Sequence, residues 1–220
     1  MTYTLNPYAA LGLKRNPFIL ESDAAISPPL WIDRGWSAPP PLGAKQLVQI
    51  IGVKGAGKTS HLKHWQAKTG GPYCYYPPGW KRLKPPLTSP LTTLAHQKIA
   101  YWDEADRMPL PFLLIALLIA AQTSYTVVAG THTDLSPAAH QIGLSVTTIN
   151  IPSFDALLLT QCVNQRIAVV RLPGKGCGLR LSRAKAEEIA IAANGSWREA
   201  SDLLHIWAAE LATSTAASSR

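Results

Sequence analysis

A glycine-rich stretch in the first third of the chain has the residue types needed to bind phosphate. Its sequence is Gly52-Val53-Lys54-Gly55-Ala56-Gly57-Lys58-Thr59, a complete G-x-x-x-x-G-K-[ST] pattern. Glycines let the backbone turn its N–H groups inwards around phosphate oxygens, and the N-terminus of a following helix adds a favourable dipole. We expect Lys58 to contact the β- and γ-phosphates and the Thr59 hydroxyl to ligate Mg²⁺. The residues predicted to bind the cofactors, ATP and Mg²⁺, are Gly52, Gly55, Ala56, Gly57, Lys58, Thr59 and Ser60.

Two adjacent acidic residues, Asp103 and Glu104, follow a short apolar run, Ile99–Trp102. At the tip of a strand, Asp103 would hold Mg²⁺ through water, and Glu104 would act as the general base that polarises the attacking water. The letters Asp103-Glu104-Ala105-Asp106 also spell the signature of DEAD-box RNA helicases. Those enzymes need two recombinase-like domains and this chain has room for one, so we interpret the acids as part of an ATP-hydrolysing site.

Short apolar runs alternate with helical patterns along the first two thirds of the chain. Strands are predicted at Leu47–Ile51, Pro72–Tyr76, Ile99–Trp102, Tyr125–Gly130 and Ser145–Ile151, and helices at about Lys58–Lys68 and Met108–Gln122. After Pro152 the pattern changes to helices over Phe154–Ala168, Leu181–Ala193 and Ser196–Leu211. Alternating strands and helices predict a parallel sheet covered on both faces. We therefore predict an α/β fold of the P-loop NTPase type, with a five-stranded parallel sheet and a small α-helical lid domain.

These patterns divide the chain into four segments. Residues 1–45 are rich in proline and aromatic residues, and we predict an extended segment that packs on the ATPase core. The core spans residues 46–151 and the helical lid spans residues 152–211. Residues 212–220 contain only Ala, Thr, Ser and Arg and are expected to form a flexible tail.

The composition indicates a soluble, basic protein. The 220 residues are 47% hydrophobic, which suffices for a core, and the formal net charge of +8 favours a polyanionic partner such as nucleic acid. Three widely separated cysteines indicate a reducing compartment. The most apolar run, Leu110–Ala121, is shorter than the about 20 residues that a membrane-spanning helix needs. We expect a cytoplasmic protein that does not interact with membranes.

The acid pair, a fourth strand that ends in a polar residue and a helical C-terminal part together resemble the AAA+ superfamily of P-loop ATPases. In that family the polar residue senses the γ-phosphate, which implies this role for Thr131, with His132 as the alternative. The resemblance also implies that Arg198, in the stretch Asn194-Gly195-Ser196-Trp197-Arg198, reaches the γ-phosphate and couples the lid to the ATP state.

The N-terminal sequence Leu11-Gly12-Leu13-Lys14-Arg15-Asn16-Pro17-Phe18 is similar to the G-L-x-x-x-P-F opening of one AAA+ branch. This branch comprises MuB-like transposition regulators of the ExeA, TniB and TnsC type. There the stretch packs near the adenine, which implies a nucleotide contact for Asn16 and Phe18. The resemblance also implies a homo-oligomer that forms with ATP.

The sequence departs from the AAA+ pattern between Asp134 and Leu144, where it has no arginine or lysine. AAA+ rings normally supply a trans-acting arginine from about this region. Either Arg166 or Arg171 serves instead, or hydrolysis is slow or depends on a partner.

A basic and aromatic cluster, Gly79-Trp80-Lys81-Arg82-Leu83-Lys84, lies in a proline-rich loop after the second predicted strand. Lys81, Arg82 and Lys84 could neutralise phosphates of double-stranded DNA, and Trp80 could stack on bases or wedge between them. The leading hypothesis is an ATP-dependent DNA-binding regulator that recruits a transposase, a nuclease or another protein partner. The alternative is a protein-directed switch or scaffold ATPase that binds no nucleic acid. A small-molecule kinase is disfavoured because Glu104 suits the activation of water.

Overall fold

The computed structural model describes residues 7–18, 35–36, 38–78, 98–174 and 178–218. The chain forms two compact units, one of residues 33–152 and one that combines residues 1–32 with residues 153–220. We call the first the sheet unit and the second the helical unit. Among the helices within the described ranges, none is both long and apolar enough to traverse a bilayer.

Within its described residues, the sheet unit contains five parallel strands in the order β2-β3-β4-β1-β5. They are β1 (Gln46–Ile51), β2 (Tyr73–Tyr75), β3 (Ile99–Asp103), β4 (Thr126–Thr131) and β5 (Ser145–Asn150). Strands β3 and β4 are buried along their whole length, as expected for central strands of a parallel sheet. The predicted fold class, an α/β fold with a five-stranded parallel sheet, is confirmed.

Helices of the sheet unit cover both faces of this sheet. They are α1 (Lys58–Thr69), α2 (Leu110–Gln122) and the short α3 (Ser136–Gln141). Strand β3 illustrates the layering, because successive side chains of a strand point to opposite faces. Tyr101 packs in the same core as Leu62 and Trp65 of α1. Trp102, the next residue, packs in the core that contains Leu117 of α2. Both faces of the sheet are therefore buried.

The helical unit contains α4 (Ala156–Val169), α5 (Arg183–Ala192) and α6 (Trp197–Ser218), together with a 3-10 helix, Pro7–Leu11. The Asp155 side chain caps α4 by accepting the Leu158 N–H at 2.7 Å. The Ser182 hydroxyl caps α5 by accepting the Lys185 N–H at 3.2 Å.

The N-terminal segment, residues 1–45, is divided between the two units. Of its described residues, 7–18 belong to the helical unit, where Tyr8, Leu11, Leu13 and Phe18 are buried in one core with α4, α5 and α6. Residues 35–36 and 38–45 belong to the sheet unit, where the carbonyl oxygens of Trp36 and Pro41 accept the Trp65 Nε1–H at 2.9 Å and the Thr126 hydroxyl at 2.7 Å. Leu13 also forms an isolated antiparallel bridge with Arg171. The sequence shows that these four residues are apolar or aromatic, but it does not show which unit buries them.

Two helices also differ from the prediction. Helix α6 continues to Ser218, whereas the sequence predicted an end at Leu211 and a flexible tail from residue 212. Ala208 and Ala212 lie one turn apart and are both buried in the core of the helical unit, so packing extends the helix through residues of modest helix propensity. Helix α3 was not predicted, because it is too short to show a periodic pattern.

Candidate functional site

The glycine-rich stretch forms the connection between β1 and α1, as the motif requires. Gly57 adopts a left-handed backbone with φ of 100°, and within the described residues no heavy atom lies within 4 Å of a Cβ built on it. Glycine is therefore required here by backbone conformation and not by crowding. Among the described residues, no side chain caps the N-terminus of α1. This helix end is therefore suited to an anion.

Lys58, at the start of α1, is 5% exposed and its side chain turns back into the loop. Its Nζ donates to the carbonyl oxygens of Gly52 at 2.8 Å and Val53 at 3.2 Å. Burial lowers the pKa of Lys58, while the nearby carboxylates of Glu104 and Asp103 act in the opposite direction. A buried ammonium that bonds mainly to neutral carbonyl groups gains from an anionic partner. The loop therefore fits a phosphate group.

Asp103, at the end of β3, is 1% exposed and accepts three hydrogen bonds within the described part of the chain. Oδ2 accepts the Thr59 hydroxyl at 2.8 Å and the Tyr73 hydroxyl at 2.7 Å. Oδ1 accepts the Glu104 N–H at 3.1 Å. Burial, followed by the adjacent Asp103, raises the pKa of Tyr73, so its hydroxyl stays protonated and donates. The oxygens of Thr59 and Asp103 are ligands of the type that Mg²⁺ prefers, so the pair fits this ion.

Glu104 follows Asp103 and is oriented by its own backbone and by a cation. Its φ is 57°, which turns the chain sharply after β3. Its Oε2 lies 2.8 Å from Nη2 of Arg107 and 3.4 Å from Nε2 of His132. Arg107 also donates to the Tyr75 hydroxyl at 3.1 Å and to the Tyr76 carbonyl at 3.2 Å. Arg107 thus links the C-terminal end of β2 to the carboxylate of Glu104, the predicted general base.

His132 is better oriented than Thr131 to take part in this site. Thr131 is fully buried, and its hydroxyl donates to the Thr133 carbonyl at 2.8 Å and accepts the Thr133 N–H at 3.1 Å. The ring nitrogens of His132 lie 3.3 and 3.4 Å from Lys58 Nζ. His132 therefore lies between Lys58 and Glu104, which favours the alternative that the sequence had offered for the γ-phosphate sensor.

Three predicted nucleotide contacts lie in the helical unit. Phe18 is 2% exposed and packs in the core of that unit. The Asn16 side chain accepts the Phe18 N–H at 2.8 Å, and its amide nitrogen lies 3.3 Å from Nδ1 of His205. Arg198 is exposed in the first turn of α6. The nucleotide roles of Asn16, Phe18 and Arg198 stay predictions.

The four predicted DNA contacts, Trp80, Lys81, Arg82 and Lys84, lie outside the described residues. Sequence reasoning missed Tyr73 and Arg107, which bind the two carboxylates. Arg107 follows the acidic stretch directly, but that motif specifies no arginine, and only the neighbouring positions of β2 and β3 in the sheet bring Tyr73 to Asp103.

The chain is similar to known proteins in structure and not in sequence. No protein-family description matches the chain, and no curated protein sequence matches it. Among solved structures, the chain is similar to Cdc6p from Pyrobaculum aerophilum, with 15% sequence identity and a TM-score of 0.46 over 72% of this chain and 54% of that chain. This chain therefore spans about half the length of that protein. A similarity at this level indicates nothing about activity or partners.

Proposed function

We propose that the sheet unit binds ATP with Mg²⁺ and hydrolyses the ATP. The observation that carries the proposal is the 2.8 Å hydrogen bond between Thr59 and Asp103, beside a loop that already contains the buried ammonium of Lys58. Thr59 and Asp103 are 44 positions apart in sequence, yet the sheet brings the predicted metal-binding hydroxyl and carboxylate together. An ordinary glycine turn has no need for a buried lysine and a buried aspartate at the same place.

Each residue of the site has a distinct role in this proposal. Lys58 and the loop N–H groups bind phosphate oxygens, and Thr59 and Asp103 hold the metal ion. Mg²⁺, when bound, supplies positive charge that offsets the charge developing on the phosphate oxygens. Glu104 accepts a proton from the attacking water. Arg107 and His132 orient the Glu104 carboxylate before it accepts this proton.

The variant Glu104→Gln separates binding from hydrolysis. Glutamine keeps the size of the side chain but cannot accept the proton, so we expect wild-type affinity for a fluorescent ATP analogue and loss of phosphate release. Glu210→Gln, an exposed residue of α6, is the matched control and should behave as wild type. Normal phosphate release by Glu104→Gln removes Glu104 as the base.

We further propose that the ATP state controls binding to double-stranded DNA and recruitment of a protein partner such as a transposase or nuclease. The net charge of +8 and the Trp80–Lys84 cluster support this proposal. The basic residues of α5 contribute less, because Arg183 and Lys185 are paired with Glu187 and Glu188 at 3.1 and 2.6 Å. The support therefore rests on the loop cluster and the overall charge.

Fluorescence anisotropy of a labelled duplex of about 30 base pairs tests DNA binding, with ATP–Mg²⁺ or ADP–Mg²⁺ at two salt concentrations. The proposal predicts tighter binding with ATP than with ADP and weaker binding of a Lys81→Ala/Arg82→Ala variant. DNA binding that is equally tight with ATP and ADP and is lost in moderate salt contradicts the proposal.

One observation favours the second candidate, a protein-directed ATPase. Helix α2 exposes Ile115 and Leu118, which are three residues apart and lie on one side of the helix, and it also exposes Leu110 at its first position. Exposed apolar side chains grouped in this way are typical of protein-binding surfaces. If the duplex does not bind in either nucleotide state, this candidate takes precedence.

A further inference from the structure

Tyr73 has a hydroxyl group whose position the proposed catalytic roles do not explain. It belongs to β2, the strand at one edge of the sheet, and its hydroxyl donates to Asp103 Oδ2 at 2.7 Å. The same oxygen accepts the Thr59 hydroxyl at 2.8 Å. A half-buried tyrosine and the predicted metal-binding threonine therefore share one oxygen atom of the buried carboxylate.

We propose that Tyr73 is a positioning residue for the magnesium site, acting through Asp103. The inference rests on the proposed function, since it concerns the Mg²⁺ that would accompany ATP. Tyr73 contacts neither nucleotide nor metal in this proposal. It fixes the rotation of the carboxylate, because the hydroxyls of Tyr73 and Thr59 together occupy the two lone-pair sites of Oδ2.

The register of the sheet explains why this position requires a tyrosine. Tyr73 pairs with Tyr101 in the parallel ladder, and Tyr75 pairs with Asp103. The hydroxyl of Tyr73 must therefore reach along the strand direction by two residues, which is about 7 Å. The phenol ring supplies that length, and serine or threonine at the same position is too short. The ring also packs against the buried core beneath α1, so its orientation is fixed by burial.

The contacts of Asp103 leave it little freedom once all three donors are in place. Tyr73 approaches from β2, Thr59 from α1, and the Glu104 N–H from the chain that follows β3. Removing the Tyr73 hydroxyl leaves Oδ2 with Thr59 as its partner and frees the carboxylate to rotate. Groups that orient a metal ligand in this way typically change metal affinity by about 10- to 100-fold when they are removed.

The test compares Tyr73→Phe with Tyr101→Phe. Each variant loses one hydroxyl, but the Tyr101 hydroxyl bonds to Thr69 at 2.6 Å, at the far end of α1. Binding of a fluorescent ATP analogue is titrated with Mg²⁺ for wild type and both variants, and again in EDTA. Free Mn²⁺, measured by electron paramagnetic resonance at one ATP concentration with and without the protein, gives the metal binding that the protein adds to that of ATP alone. Circular dichroism confirms that both variants fold.

We expect Tyr73→Phe to need about 10-fold more Mg²⁺ or Mn²⁺ for half-maximal binding, with unchanged affinity for the analogue in EDTA. The metal concentration that Tyr101→Phe needs for half-maximal binding should stay within about 2-fold of the wild-type value. Equal metal dependence of Tyr73→Phe and wild type overturns the positioning role and leaves the proposed function intact. An equal shift in both variants also overturns it, because the effect then reflects a general loss of packing. If wild type itself does not bind the analogue, the proposed function fails, and the inference fails with it.

Discussion

Gly130, near the end of β4, is the position where a single methyl group should disturb the magnesium site most directly. It pairs with Asp103 across the parallel ladder. A Cβ built on Gly130 lies 3.0 Å from Asp103 Oδ1 and 3.0 Å from Leu62 Cδ1. Neither neighbour can move aside easily, because the Asp103 carboxylate accepts three hydrogen bonds and Leu62 of α1 is fully buried. Gly130→Ala therefore pushes the carboxylate away from its donors.

Two opposing effects decide the stability of Gly130→Ala. Replacing a glycine by alanine restricts the unfolded chain and stabilises a protein by about 0.4–1 kcal/mol where the native backbone accepts it. Overpacking a rigid site costs about 1–3 kcal/mol. The crowding is therefore the larger effect, and we expect a net loss of about 1 kcal/mol in the free energy of unfolding. With an m-value of about 2 kcal/mol/M, the urea midpoint should fall by about 0.5 M.

Urea unfolding followed by tryptophan fluorescence measures this shift, and Mg²⁺ titration of nucleotide binding measures the displacement of Asp103. Gly178→Ala is the control, because no described heavy atom lies within 4 Å of a Cβ built on Gly178. An unfolding midpoint for Gly130→Ala at or above that of wild type, with the same Mg²⁺ dependence, refutes the crowding argument.

Two further variants test packing away from the phosphate loop. Gln49, fully buried in β1, accepts the buried Leu135 N–H at 2.8 Å and donates to the exposed Asp134 at 2.6 Å. Gln49→Ala should destabilise the sheet unit by about 2 kcal/mol, because it leaves the buried Leu135 N–H without this acceptor. Urea unfolding of Gln49→Ala measures the loss, with Gln141→Ala, at an exposed position, as the control. Equal urea midpoints for the two variants contradict the prediction. Asp155→Ala removes the cap of α4 and should cost the helical unit about 1 kcal/mol. Thermal unfolding followed by circular dichroism measures this loss, with Asp202→Ala, at an exposed position, as the control. The prediction fails if the two variants have the same melting temperature.

The phosphate loop and the acid pair were predictable because their information is local. Residues 52–59 lie consecutively between a strand and a helix, so the motif and the geometry coincide. Asp103 ends an apolar run, and the end of a buried strand is the position where a carboxylate can reach a bound ion. Strands β1 to β4 were predictable for the same reason, since each is a short run of mainly apolar or aromatic residues bounded by glycine, proline or polar residues, whereas β5 is mostly polar.

Other parts of the site depend on contacts that sequence patterns do not encode. Tyr73 reaches Asp103 because β2 lies beside β3, and strand order is set by the whole sheet. Thr131 was preferred over His132 as the sensor, but the Thr131 hydroxyl bonds to the backbone of Thr133. Such local bonds of threonine depend on the conformation of the turn. Phe18 was predicted from a resemblance alone, and apolar character could not indicate which core would bury it.

The central claim is that the loop around Lys58 binds ATP. Isothermal titration calorimetry with ATP and Mg²⁺ tests this claim most directly, using wild type, Lys58→Ala and Lys54→Ala. Lys58 is buried in the loop with its Nζ at the carbonyl of Gly52, whereas Lys54 is exposed in the same loop. A hydrogen bond to a charged group contributes about 1.5–3 kcal/mol, so loss of the contacts to two phosphates should weaken binding at least about 100-fold. The account predicts saturable binding by wild type and Lys54→Ala and none detectable for Lys58→Ala. Binding by Lys58→Ala with wild-type affinity contradicts it.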